Sequence, residues 1–170
     1  MNGLKFRETS IMKILQESLA KLSHPAGITV SLKSCLEDEA VWMDHEQTGT
    51  VFYDLAKNAI EAMPSGGVLS ITVEGDNRRV IVTLSDTGKG ISAENLPLLF
   101  TPFFTTKPVG EGTGLGLAQA FAVVKGHHGD ISITSNADPV IGITGTTVNI
   151  TLPRRQAFQA EDAKVILHEE

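Results

Sequence analysis

The sequence is short of cysteine, of long apolar runs and of positive charge. Its single cysteine, Cys35, excludes an internal disulfide and is typical of a protein from a reducing compartment. No apolar run approaches the ~20 residues that span a bilayer, and the polar start MNGLKFRETS is not a signal peptide. These absences predict a soluble, cytoplasmic chain with no membrane contact of its own, whether or not its parent protein is membrane-anchored.

Acidic residues outnumber basic ones by 20 to 14, which gives a formal net charge of −6 at pH 7. Such a chain repels the phosphates of nucleic acid, so no nucleic-acid partner is expected. It can still bind a polyanion where a metal ion or a few lysines reverse the field locally. The apolar share of 41% argues against disorder throughout.

Apolar periodicity divides the 170 residues into helices and strands. Thr9 and Asp44 are the predicted caps of helices that run to about residues 22 and 63, and further helices are expected at 93–100 and about 114–125. Five segments alternate as strands do: 28–33, 68–75, 78–85, 129–135 and 145–153.

Neighbouring strands joined by short turns favour antiparallel pairs. The order therefore predicts an α+β two-layer sandwich, with a mixed, mainly antiparallel sheet of about five strands covered on one face by three helices. Residues 87–113 form a long segment broken by Gly and Pro, and a loop of that length is usually functional or mobile. We expect one domain over 1–153, followed by a polar tail, 154–170, that is a surface extension or the start of a following module.

Three stretches are candidates for chemistry. In FYDLAKNAIEAM, Asp54, Asn58 and Glu61 fall at i, i+4 and i+7 and share one stripe of a helix. DTGKG begins at Asp86, where a strand ends, and GEGTGLGLAQAF opens a helix with four alternate glycines, whose backbone N–H groups suit an anion. The alternatives are a solvated helix edge, a tight turn and a flexible hinge.

Known phosphate motifs are absent. Neither glycine stretch ends in the Gly-Lys-Ser/Thr of a Walker loop, and the spacing G-x-G-x-G-x-G is not the Rossmann fingerprint. The signature set of protein kinases is missing as well.

Taken in order, Asn58 in a helix, DTGKG, PFFTTK and GEGTGLGLA resemble the N, G1, F and G2 boxes of the ATP-binding domain of sensor histidine kinases. That domain belongs to the superfamily shared with type II topoisomerase, heat-shock-90 and mismatch-repair ATPases. The resemblance covers roughly residues 5–153. It implies a Bergerat-type ATP fold with an ATP lid between the G1 and G2 boxes, and the short lid is similar to that of the nitrogen-regulation-type subgroup.

The resemblance also implies roles. Asp86 would accept a hydrogen bond from the adenine amino group, with Thr146 beside it, and Gly88 and Gly90 would let the base approach the backbone. Asn58 would ligate Mg²⁺, which prefers oxygen ligands and also bridges the phosphates. Phe103 and Phe104 would be lid aromatics, or plain core residues.

Asn58, Lys107 and Asp54 are the implied catalytic residues, and Asn58 is the implied metal ligand. The nucleotide would be bound by Asn58, Lys57, Ala62, Asp86, Gly88, Gly90, Ile91, Thr105, Thr106, Lys107, Gly112, Thr113, Gly114, Leu115, Gly116, Leu117 and Thr146.

Two positions depart from the family pattern. Many members carry a basic residue where this chain has Glu61, so phosphate contacts must depend on Lys57, Lys107 and lid amides. Many gyrase-type members have a water-activating Glu where this chain has the shorter Asp54, which we interpret as orienting the metal and its waters.

None of the five histidines begins an H-E/D-x-x-x-P stretch on a long helix. The resemblance therefore implies an acceptor histidine on a separate dimerisation domain, with a response regulator downstream and little self-phosphorylation. The alternatives are an ATP-hydrolysing clamp of the same superfamily and a nucleotide-binding regulatory module without transfer.

Overall fold

The computed structural model describes residues 4–23, 25–108, 110 and 112–155. In chain order its helices and strands are β1 (Arg7–Ser10), α1 (Ile11–Ala20), β2 (Ile28–Ser34), β3 (Ala40–Met43), α2 (His45–Glu61), β4 (Gly67–Gly75), β5 (Arg79–Asp86), α3 (Gly116–Gly126), β6 (Asp130–Asn136) and β7 (Gly145–Pro153). The main sheet has the order β2-β4-β5-β7-β6. β2 pairs in parallel with β4, and the pairs β4–β5, β5–β7 and β7–β6 are antiparallel.

Alternation along the strands gives this sheet two unlike faces. On β5, Val82 and Leu84 are buried beneath the helices. Thr83, between them, points to the other face, where its hydroxyl donates to Oδ1 of Asn149 on β7 over 2.8 Å. One face therefore carries the core and the other carries polar cross-strand pairs.

The helices cover the apolar face. α2 contacts β4 and β5, α3 contacts β6, and both α1 and α3 pack against α2. The predicted α+β sandwich, with a mixed five-stranded sheet and three helices, is confirmed. Within the described residues, no helix is long and apolar enough to cross a membrane.

The predicted helix ends are partly right. The side chain of Asp44 caps α2 by accepting a hydrogen bond from the amide of Gln47 over 2.9 Å, as expected. The cap of α1 is Ser10 and not Thr9, because the Ser10 hydroxyl is the group that accepts a hydrogen bond from the amide of Lys13, over 3.2 Å. The helix expected at 93–100 is only a 3-10 turn, Leu96–Leu98, with a proline inside it.

A second sheet of two short strands escaped prediction. β1 and β3 pair antiparallel, with Arg7 opposite Met43. This sheet joins the end of β7, since the amide of Trp42 donates to the carbonyl of Arg154 over 2.7 Å. The amide of Lys5 donates to the Asp44 carboxylate over 2.7 Å, so the backbone at Lys5 is fixed at the start of α2.

Candidate functional site

The predicted stretches meet around α2. The amide of Lys89 donates to the carbonyl of Ala62, the C-cap of α2, over 3.0 Å. A Cβ placed on Gly116, the first residue of α3, would lie 3.9 Å from Oδ2 of Asp54. The two glycine stretches and the polar stripe of α2 therefore form one continuous region.

Asp86 ends β5 with a buried carboxylate, 9% exposed. Its Oδ1 accepts hydrogen bonds from the amides of Gly88 over 2.8 Å and Thr146 over 3.2 Å. Among the described residues, none donates to Oδ2. Burial raises the pKa of this carboxyl above its ordinary value, and the two amides offset part of the rise. One carboxylate oxygen is thus fixed by the backbone, while the other accepts no hydrogen bond from a described residue.

Ser135 is a polar residue of this site that sequence reasoning missed. Ser135, on β6, lies opposite Thr146 on β7, and Thr146 lies opposite Asp86 on β5. The three residues therefore form one row across the sheet. The Ser135 hydroxyl donates to the carbonyl of Gly145 over 2.7 Å and accepts from the amide of Ile91 over 2.8 Å. It therefore holds the start of the loop after DTGKG against the end of the sheet.

Packing within the protein itself requires glycine at both glycine positions of DTGKG. A Cβ on Gly88 would lie 2.6 Å from the carbonyl oxygen of Ala62. A Cβ on Gly90, which has φ of +70°, would lie 2.0 Å from the carbonyl oxygen of Asn136. The backbone after Asp86 is thus packed tightly between α2 and β6, which fixes the direction of its carboxylate.

The stripe on α2 is polar and partly buried. Oδ1 of Asn58 accepts a hydrogen bond from Nζ of Lys107 over 3.2 Å, and Lys107 also forms a short ion pair with Glu61. Burial raises the pKa of Asp54, and the nearby charge of Lys57 lowers it in part. Asn58 and Glu61 both bind the side chain of Lys107, which comes from the loop that covers them.

That loop is the segment 87–113, which we call the lid segment. Its Phe103 has φ of +68° and is 75% exposed, so it is no core residue, whereas Phe104 is half-buried. The amide of Phe103 donates to the carbonyl of Gly114 over 2.9 Å, and a Cβ on Gly114 would lie 2.4 Å from the Phe103 carbonyl carbon. Phe103, inside the lid segment, therefore lies in direct contact with Gly114, the residue that follows the segment.

α3 begins at Gly116 and not at Gly114 as expected, because Gly114 has φ of +65°. Among the described residues, no side chain caps the start of α3, and the hydroxyl of Thr113 accepts from the amide of Leu115 over 3.3 Å. The first N–H groups of this helix are thus left for solvent or for an anion.

The remaining predicted residues lie around this region with less definite contacts. The hydroxyl of Thr105 accepts from the amide of Lys107 over 3.1 Å, and Leu117 packs against the core. Lys57 is exposed, 4.0 Å from Glu61. Thr106 is exposed and makes no hydrogen bond to any described residue.

The donor set suits a cation only in part. Asn58 and Asp54 offer the oxygen ligands that Mg²⁺ prefers, and the Lys107 ammonium at Oδ1 of Asn58 shows that this oxygen faces a positive charge. Within the described residues, no three His, Cys, Asp or Glu side chains are grouped closely enough to hold a metal ion by themselves.

Comparison with known proteins gives consistent matches. Residues 43–156 match the family described as histidine kinase-, DNA gyrase B-, and HSP90-like ATPase. Sporulation kinase E of Bacillus subtilis (strain 168) is 32% identical over 158 residues, which are 91% of this chain and 20% of that protein. Sensor histidine kinase ZraS of Escherichia coli (strain K12) is 39% identical over 153 residues, which are 88% of this chain and 31% of that protein.

A solved structure agrees with the sequence matches. The mycobacterial sensor histidine kinase MprB superposes with a TM-score of 0.76 at 26% identity, over 89% of this chain and 99% of that one. The chain spans less than a third of the two curated relatives but covers nearly all of this solved chain. It therefore belongs to the histidine kinase-, DNA gyrase B-, and HSP90-like ATPase family, and the predicted resemblance to the ATP-binding domain of sensor histidine kinases is confirmed.

Proposed function

We propose that residues 1–153 are the catalytic domain of a two-component sensor histidine kinase, which binds Mg·ATP and transfers the γ-phosphoryl group to a histidine on a separate dimerisation domain. Residues 154–170, mostly outside the described part, would then be a tail or the start of another module. The observation that carries the proposal is Asp86. It is buried at a strand end with one oxygen held by two amides and the other without a donor among the described residues.

Asp86 would read adenine. Its Oδ2 accepts from an exocyclic amino group, and the Thr146 hydroxyl, 2.9 Å from that of Ser135, supplies a second polar contact nearby. Guanine presents a carbonyl where adenine presents its amino group, and a carboxylate repels it. This arrangement therefore favours adenine nucleotides.

The phosphates would lie between α2 and the start of α3. There the uncapped N–H groups of α3, with Gly112, Gly114 and Gly116, bind oxygens, and Lys57 and Lys107 neutralise charge. Mg²⁺ bound at Asn58 supplies further neutralisation of the transferring phosphoryl group. Since no described cluster holds a metal alone, metal binding is expected to require the nucleotide.

The histidine that accepts the phosphoryl group is expected on another domain. Two histidines of the described part already form hydrogen bonds within this chain. His127 is 1% exposed, with Nδ1 2.8 Å from the carbonyl of Val123 and Nε2 accepting from the amide of Asp44. His45 lies between Glu17 and Thr9, at 2.7 and 3.1 Å. His128 follows the C-terminal end of α3, whereas the lid segment leads into its start. His24 and His168 lie outside the described residues.

The test is phosphate transfer from labelled ATP with and without the dimerisation domain of the parent kinase. The proposal predicts label on that domain's histidine, only with Mg²⁺ present, and little label on this chain. Rapid release of inorganic phosphate without any labelled protein would instead favour the ATP-hydrolysing alternative. Under the proposed function, the phosphoryl group on that histidine would pass on to a response regulator.

A further inference from the structure

Glu61 is the residue of the site whose charge the proposed function does not explain. A carboxylate beside a triphosphate repels it, yet Glu61 lies on the same stripe as Asn58, three residues further along α2. It is in direct ion-pair contact with Lys107 and lies 4.0 Å from Lys57. Glu61 therefore acts first on lysines and not on the nucleotide.

The lid segment holds the other end of this ion pair in place. The Lys107 amide donates to the hydroxyl of Thr105 over 3.1 Å. A Cβ on Gly112 would lie 3.1 Å from Cδ of Lys107 and 2.8 Å from the Thr105 hydroxyl. The aliphatic stem of Lys107 is thus packed by the lid segment, while its ammonium reaches α2.

The ammonium contacts the oxygen that the metal would need. Nζ of Lys107 lies 3.2 Å from Oδ1 of Asn58. A lysine cation and a divalent cation repel each other and compete for this atom. Binding of the metal with its nucleotide must therefore move Lys107 away from Asn58. Glu61 is the one other group of α2 that the structure shows in contact with this ammonium.

We propose that Glu61 is a positioning residue, which tethers the lid segment to α2 through Lys107 in the nucleotide-free chain and releases Lys107 to the phosphates when Mg·ATP binds. The tether depends only on contacts within the chain, whereas the release rests on the proposed function. The side chains of Glu61 and Lys107 are 39% and 36% exposed, so the pair is only partly screened by water. The family's usual basic residue at the position of Glu61 could not form this tether.

The experiment measures backbone order in the full chain by ¹⁵N relaxation, at the amides of Thr105, Thr106 and Lys107. In the nucleotide-free wild type we expect order parameters near ~0.85, as in the sheet, and values below ~0.6 in Glu61→Gln. Glu74→Gln is the matched control: it removes an exposed carboxylate on β4 that has no ion pair to any described residue, and should leave these values unchanged.

The charge-reversed double variant, Glu61→Lys with Lys107→Glu, separates a specific pair from general damage. It should be more ordered than either single reversal. At saturating Mg·ATP, Glu61→Gln should become as ordered as the wild type, because the phosphates then hold Lys107.

Three results would overturn the inference in its parts. An ordered lid segment in nucleotide-free Glu61→Gln would show that Glu61 does not tether it. A double reversal whose lid segment is no more ordered than in the single reversals would show the same. A difference that persists at saturating Mg·ATP would remove the release step. Failure of the wild type to bind Mg·ATP would refute the proposed function instead, and the nucleotide-free comparison would still decide the tether.

Discussion

The backbone amide of Thr146 donates to the carboxylate of Asp86 over 3.2 Å, although the two residues lie 60 positions apart in the chain. They are register partners on β7 and β5, at the end of the sheet that faces the glycine-rich loop. The orientation of the Asp86 side chain is thus set by the sheet itself, and the candidate nucleotide site depends on the pairing of these strands.

Replacing Ser135 by alanine should destabilise the fold. The change leaves the amide of Ile91 and the carbonyl of Gly145 without their hydroxyl partner, which costs about 1–3 kcal/mol for partly buried groups. Urea unfolding measures this. Ser132→Ala is the matched control on the same strand, exposed and without a side-chain hydrogen bond to a described residue, and it should change the free energy of unfolding by less than about 0.5 kcal/mol. Equal changes in the free energy of unfolding would show that the Ser135 hydroxyl does not stabilise the contact between Ile91 and Gly145.

Gly90→Ala should be more damaging than Gly110→Ala. Both glycines have positive φ, +70° and +92°, so both alanines are strained by about 1–2 kcal/mol. At Gly90 the new Cβ also meets backbone, the Asn136 carbonyl oxygen at 2.0 Å, whereas at Gly110 no described residue beyond its chain neighbours lies within 4 Å. Thermal unfolding of the two variants isolates the clash from the strain, and similar melting temperatures would contradict the tight packing at Gly90.

Acidification should destabilise the chain through His127. Burial lowers the pKa of this imidazole, with His128 adding to the effect, while the Val123 carbonyl and Asp44 oppose it. Because the unfolded chain takes up the proton first, near pH 6.5, stability is full above that pH. It is then lost as pH falls toward the depressed folded pKa, by at most about 1.4 kcal/mol per pH unit.

His127→Gln should therefore flatten the dependence of unfolding free energy on pH between 7.5 and 5.5, while His128→Gln, at an exposed neighbour, should keep it. A slope that survives in His127→Gln would contradict the assignment of this pH dependence to His127.

Much of the fold could be predicted because its strongest elements are local patterns. The strands β4, β5 and β7 alternate cleanly, and α2 has both a capping Asp44 and a helical apolar stripe. β1 and β3 escaped because RETS holds no apolar residue, AVWM is only four residues long, and the two segments form a sheet only by pairing with each other. Pairing across thirty or more residues has no signal in either segment alone.

In the candidate site, too, the residues within local motifs could be predicted, and those that depend on long-range contacts could not. Asp86 and Asn58 stand out through the residues around them, but Ser135 is one more serine in a strand and gains its role only beside Thr146. Glu61 was noticeable as a departure from the family pattern. Its partner Lys107 could not be named, because the fold of the lid segment decides which of the lysines reaches it.

The most direct test of the account is calorimetric titration of Asp86→Asn with Mg·ATP. Asparagine keeps an oxygen for the amides of Gly88 and Thr146 but presents an NH₂ group where adenine must donate. The fold should remain, or gain stability at neutral pH, because burial disfavours the charge of Asp86.

Wild type and the exposed control Asp130→Asn should both give a saturable heat of binding, and nucleotide at 100 times its dissociation constant should add about 2.7 kcal/mol to their stability. Asp86→Asn should give a flat titration and no added stability. Undiminished binding of Mg·ATP by a folded Asp86→Asn chain would contradict the assignment of this carboxylate to adenine, and with it the site proposed around it.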